Sequence, residues 1–288
     1  MDLLPFLLQA IILVAILGRV MVRAYTEVDD TFVDQWAGAH ALTLTPRSRP
    51  MVRWYLHTAR VLRTWGAVAG FFLPPLIGLA FGSPTLEQVL FPLVFVGYLA
   101  GALYAELALS RPVTGGRRVA ALVPREVADY LPRRLLVAQR VLGVAPSALA
   151  LMVFAVDFER DPAAGVDGSP RVTAVAFAAV AGLLAVALVR LERWLVQRPQ
   201  PFTEPDLVAA DDAIRSQAVH STAGSGLAIE LVCLAGVLLV LSRSDVQLLR
   251  WTLPWAGVLG FVAAVCACLY YGHRAWHVRR GLPDPAVS

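Results

Sequence analysis

Apolar residues in this chain gather into blocks, and the blocks recur. Seven stretches, at about 3–22, 65–81, 87–109, 141–158, 172–196, 223–241 and 251–271, carry few charges. A helix needs about 20 apolar residues to cross roughly 30 Å of hydrocarbon, so stretches of this length predict membrane-spanning helices. Between the blocks the pattern changes to that of an amphipathic helix. In "RPMVRWYLHTARVLRTWG", Val52, Tyr55, Ala59 and Leu62 fall on one helical stripe and Arg53, His57 and Arg60 on another. Pro50 suits the first turn of such a helix. "LPRRLLVAQRVLGV" repeats the layout, with Arg133 and Arg140 seven apart. "EPDLVAADDAIRSQAVHS" is a third version, in which Asp211 precedes Arg215 by four residues, the favourable order on a helix.

The expected architecture is an all-α polytopic membrane protein with seven transmembrane helices. An anchor helix occupies 1–22 and a cytoplasmic amphipathic segment 23–64. Three hairpins follow at 65–109, 141–196 and 223–271, separated by an Arg-rich loop at 110–140 and a loop at 197–222, with a tail at 272–288. Arg60, Arg140 and His220 sit eighty residues apart, each at the entry to a hairpin. That spacing is what a parallel triplication would leave. Unrelated hairpins entering from one side of an arginine-rich chain would resemble it too.

Composition agrees with the pattern. The chain is 58% hydrophobic and 16% charged, against roughly 45–50% and about 25% in an average soluble domain. It contains no lysine and no asparagine, and all 25 of its basic residues are arginine. We read this as the imprint of a GC-rich genome and expect a bacterial cytoplasmic membrane. Twenty arginines lie in 23–64, 110–140, 190–222 and the tail, against four in 82–86, 159–171 and 242–250. Positive charge is retained on the cytoplasmic side, so the N-terminus is expected outside and the C-terminus inside. Asp2 stands where a signal peptide would carry positive charge, and no small-x-small cleavage site follows the first block; a retained anchor is expected. The net charge of +4 follows from this bias and calls for no nucleic-acid partner. The basic stretches should attract anionic lipid headgroups.

The missing lysine excludes two chemistries. A retinal Schiff base needs a lysine amine, and a phosphate-cradling loop of the Walker type needs its lysine. If ATP drives this protein, a separate ATPase hydrolyses it. No metal or cofactor is expected. His273 and His277 share a helical face but lack the glutamate of a zinc protease, and Cys233, Cys266 and Cys268 lie in apolar runs without ligand spacing. Ser225, between two glycines, with His273 or His277 as base, would be the minimum of an intramembrane serine hydrolase. Ala223 stands where such sites carry glycine, and no orienting acid is evident.

The remaining chemistry is acidic. Glu106 and Glu192 lie near cytoplasmic span ends, in reach of Arg111, Arg190 or Arg193, and local ion pairs are expected. Glu230 lies seven residues past Ala223, about 10 Å along a helix rising 1.5 Å per residue. A charge at mid-span costs roughly 2.5–3.5 kcal/mol on insertion scales. Ala223, Gly226 and Cys233 share its stripe and would admit a neighbouring helix. Glu230 is therefore expected to face the bundle, protonated or hydrogen-bonded, with Tyr98, Tyr104 and Ser147 as partners by depth. With no second deep acid or histidine expected, a structural role is favoured over a proton-carrying one.

The residues carry no recognisable family motif. Three functions follow in order of expectation. The first is a non-catalytic subunit of a membrane complex that docks a soluble partner through Arg53, Arg60, Arg133, Arg140 and Arg215, which would otherwise contact lipid. The second is a self-contained proton-coupled transporter using Glu230. The third is the intramembrane hydrolase.

Overall fold

The computed structural model describes residues 15, 18–19, 21–80, 91–109, 125–158, 170–199 and 204–273, with the side chains of 74–80, 91–94, 268–269 and 271–273 outside that description. The described chain is helical: α1 (Asp30–Ala39), α2 (Ser48–Ala80), α3 (Phe91–Leu109), α4 (Arg133–Met152), α5 (Pro170–Gln197), α6 (Pro205–Leu241) and α7 (Gln247–His273). No strand occurs among the described residues, only one isolated bridge between Phe158 and Ser244. Among the described residues, four helices contain segments long and apolar enough to cross a membrane: Arg133–Met152, Pro170–Gln197, Pro205–Leu241 and Gln247–Ala267; Phe95–Leu109 is a shorter apolar helix. The expected span at 3–22 falls almost wholly outside the described residues, and those at 65–81 and 87–109 partly so.

The amphipathic segments and the spans they lead into are not separate elements. The stripe of Val52, Tyr55 and Ala59 belongs to the same helix as residues 65–80, and Arg133 and Val141 share one helix, as do Asp211 and Glu230. The third of these helices runs unbroken even through Ser221, Thr222, Gly224, Ser225 and Gly226, and an unbroken helix satisfies its own backbone at every depth. At the other end the expectation was too long. The span expected to reach 158 leaves helical geometry after Met152, and residues 157–158 turn to meet the α6–α7 connection, where the Asp245 amide donates to the Asp157 carbonyl at 3.1 Å.

Contacts gather into two compact units, one formed by 1–119 with 201–214, the other by 120–200 with 215–288. In the first, Val28, Val33, Val52, Tyr55, Ala210 and Ile214 form a buried cluster. Thr45 and Ser48 cap the start of α2 reciprocally, the Thr45 amide donating to Ser48 Oγ at 2.9 Å and the Ser48 amide to Thr45 Oγ1 at 3.1 Å. The arginine stripe of α2 faces α1. Arg49 bridges Asp30 at 3.0 Å and Asp34 at 2.7 Å, Arg53 pairs with Asp30, and the Arg60 guanidinium lies 5.6 Å from the centre of the Phe32 ring. Hydrogen bonds from Arg49 and Arg53 hold the Asp30 carboxyl below its ordinary range. The clasp is therefore fully formed at neutral pH and opens only as the pH falls through that lowered value.

α2 and α3 meet at glycines. A Cβ on Gly97 would lie 2.7 Å from Gly70 Cα, and one on Gly101 would lie 2.7 Å from the Leu62 carbonyl oxygen. Backbone approaches backbone, the usual use of small residues four apart between membrane helices.

In the second unit, α6 is the central helix. From Arg215 to Glu230 every residue is buried. Tyr130, Leu131, Leu135, Leu195, Val219 and Leu227 form one cluster around it, and Val153, Ala174, Val237 and Leu241 belong to another. α5 and α7 turn large apolar side chains outward, with Leu183 73% and Trp255 71% exposed. Apolar faces of that extent do not suit water and do suit lipid.

Candidate functional site

The buried stretch of α6 is far from uniformly apolar. Arg215, Ser216, Gln217, His220, Ser221, Thr222, Ser225 and Glu230 are all buried. Buried polar groups need partners. Some have them. Arg215 Nη1 donates to the carbonyl oxygens of Val196 at 2.8 Å and Arg198 at 3.0 Å, and His220 Nδ1 lies 2.9 Å from the Ser216 carbonyl oxygen.

Glu230 is different. It is fully buried, and neither carboxylate oxygen has a hydrogen-bond partner among the described residues. It reaches this position because two helices give way to it. A Cβ on Gly143 of α4 would lie 3.2 Å from Glu230 Oε1 and 2.5 Å from the Ala185 Cβ of α5. On α6 itself, a Cβ on Gly226 would strike the Leu188 side chain of α5. Two glycines thus close a seam of α4, α5 and α6 around one carboxyl group.

A second acid shares the seam. Glu192 on α5 is 3% exposed and accepts a hydrogen bond of 3.0 Å from Gln139 Nε2 on α4. Gln139 and Gly143 are one helical turn apart and both are buried. The two carboxylates therefore meet α4 at the two ends of a single turn.

Several expectations need correction here. Glu192 makes no ion pair with the local arginines; Arg190 and Arg193 point to the exposed side of α5 and the acid turns inward to Gln139. Glu106 does find an arginine, but across the hairpin: Arg63 Nη2 donates to it at 3.0 Å, and the Tyr55 hydroxyl lies 3.1 Å from Oε2. Ser147, expected beside Glu230, is exposed on α4, and Tyr98 and Tyr104 belong to the first unit, Tyr98 half-buried and Tyr104 exposed. Arg215, expected at a docking surface, is fully buried because its guanidinium is drawn onto the α5 terminus. Arg53 and Arg60 are half-buried against α1, whereas Arg133 and Arg140 are exposed. Glu192 and His220, placed by the sequence near or beyond a span end, are both buried in the unit that contains Glu230.

The other candidate chemistry is thin. Ser225 is buried in the middle of α6; the side chain of His273 and the whole of His277 lie outside the described residues. No group of three His, Cys, Asp or Glu side chains placed to hold a metal ion occurs among the described residues. Cys233 is buried and Cys266 exposed, both as free thiols.

Comparison with known proteins adds no family: the chain matches no protein-family model, no curated protein and no solved structure. What fold and site define is a class. This is an all-helical protein with the long apolar helices of a membrane-embedded chain and a buried acidic seam in its second unit.

Proposed function

We propose that the chain is a proton-translocating, multi-pass protein of the bacterial cytoplasmic membrane, non-enzymatic, with Glu230 as the group that carries the proton. The observation behind this reading is the fully buried carboxyl whose two oxygens have no hydrogen-bond partner among the described residues. A carboxyl kept for structure would be tied to a neighbouring helix by hydrogen bonds, and a permanently ionised one would need a cation beside it. Glu230 has neither support, so its resting form is neutral and its proton leaves only when water or an acceptor reaches it. Intramembrane acids of this kind mark proton and ion pathways. The test uses proteoliposomes containing a trapped pH-sensitive dye and an imposed potassium diffusion potential. Wild-type protein should admit protons well above protein-free vesicles, and Glu230→Gln, which keeps the shape but cannot ionise, should lower that flux by about tenfold or more, in line with the loss of a positioned acid–base group. A wild type no faster than empty vesicles ends the proposal.

The reading includes seven spans, N-terminus outside and C-terminus inside, supported by the twenty-to-four arginine bias. A fluorescent protein fused after Ser288 should fluoresce and alkaline phosphatase fused there should stay inactive. An active phosphatase would invert the arrangement.

A second reading, the complex subunit that docks a soluble partner, draws on one feature. Arg133, Arg134 and Arg140 are exposed at the start of α4. The arginines of α2 add little to it, because α1 already engages Arg49, Arg53 and Arg60.

A further inference from the structure

Glu230 sits well inside α6, so a proton leaving it needs somewhere to go. The seam offers one acceptor. Gln139 and Gly143 stand one turn apart on the buried face of α4, a rise of about 5–6 Å. Gln139 holds Glu192 at one end of that turn, and Gly143, by having no side chain, leaves room for Glu230 at the other. Glu192 lies five residues before the end of α5, on the side that is cytoplasmic in the proposed topology.

We infer that Glu192, steadied by Gln139, is the exchange partner through which Glu230 takes and gives its proton. The inference rests on the proton-carrying reading of Glu230. In the step itself the O–H bond of the Glu230 carboxyl breaks and a new O–H bond forms on the Glu192 carboxylate. The negative charge moves the other way, so the pair keeps one proton and one charge throughout. Two carboxylates buried in one seam cannot both be ionised at modest cost, and sharing a single proton is the arrangement that avoids it. The choice of glutamine suits the task. An amide can donate through its N–H to an ionised carboxylate and accept through its carbonyl from a neutral one, so it holds Glu192 in both states, which an arginine would not.

The other titratable groups around the seam leave the pair to itself. On α4, Arg140 is exposed. On α5, Arg190 and Arg193 are exposed. On α6, His220 is hydrogen-bonded to Ser216 and lies ten residues from Glu230, and the buried thiol of Cys233 lies three residues beyond it. α7 presents Cys266, which is exposed.

The test is modification by dicyclohexylcarbodiimide, which attacks protonated carboxyl groups in apolar surroundings, read by peptide mass spectrometry on the full-length protein in lipid nanodiscs across a pH series. Glu230 should be modified at neutral pH and protected as the pH rises. Glu192→Gln removes the neighbouring charge that keeps the proton on Glu230, so protection should set in about one pH unit or more lower. Gln139→Leu, which deprives ionised Glu192 of its donor, should move it in the same direction and serves if the first variant does not fold. Protection unmoved in folded variants overturns the pairing and leaves the proton-carrying reading of Glu230 to the flux experiment. A wild type never modified at Glu230 overturns the inference as well. A shifted transition beside silent proteoliposomes would keep the pair and end the translocation reading alone.

Discussion

Arg63→Met is expected to destabilise the first unit by about 3–5 kcal/mol, the usual consequence of stranding one partner of a buried ion pair. Glu106 has no exposed surface, and its ionised form relies on the Arg63 guanidinium at 3.0 Å and the Tyr55 hydroxyl. Methionine keeps most of the arginine's length and apolar contact while deleting the charge. What remains is a buried carboxylate without its guanidinium, still accepting from the Tyr55 hydroxyl. If the penalty comes from that stranded charge, the double variant Arg63→Met with Glu106→Gln should recover most of the loss, because a neutral amide can still accept from Tyr55. Thermal unfolding in detergent, with the two single variants and the double variant compared as a cycle, measures the coupling. A single variant within about 1 kcal/mol of wild type would place the pair among the weak, screened ones found on protein surfaces. The glycine seam between α2 and α3 depends on the same hairpin, so loss of the pair should also loosen the contact of Gly97 with Gly70.

The sequence carries the helices more clearly than their partners. Blocks of apolar residues announce α4 to α7 because the bilayer's thickness sets a length that composition alone can meet, and the 3.6-residue period assigns Val52, Tyr55 and Ala59 to one face of α2. Periodicity says which face of a helix is buried but not which helix lies against it. That is why Arg53 reads as a docking residue in the sequence and is found on Asp30, twenty-three positions away. It is also why the sequence pairs Glu106 and Glu192 with arginines nearby in the chain, when the structure gives one to Arg63 and the other to Gln139. Glu192 is the instructive case. It sits close to the end of an apolar block, where a charged residue ordinarily snorkels outward, and only the packing of α4 shows that it turns in. One signal could have found it: Gln139 and Gly143 are the polar and the small residue on the face that Leu135 and Pro146 continue, and a glutamine on a buried stripe asks for a partner.

Arg215→Leu should destabilise the second unit by about 2–4 kcal/mol, far more than an exposed arginine on the same chain. Among the described residues, Arg215 is the largest of the fully buried side chains. Its Nη1 donates at 2.8 Å and 3.0 Å to the carbonyl oxygens of Val196 and Arg198, at and just past the C-terminal end of α5. The last carbonyls of a helix have no partner of their own, and the negative end of its dipole favours a cation there. Hydrogen bonds made by a charged donor contribute about 1.5–3 kcal/mol, and buried acceptors left unpaired add a penalty of about 1–3 kcal/mol. Leucine fills part of the space and satisfies neither oxygen. Arg133→Leu is the control. Arg133 is exposed at the start of α4, so its replacement should change stability by no more than about 0.5 kcal/mol and act, if at all, on association with anionic lipid. Unfolding of both variants in detergent separates the two roles. Equal and small losses would mean that the α5 terminus finds other donors without Arg215, and the arginine would then belong with the surface residues among which its sequence context first places it.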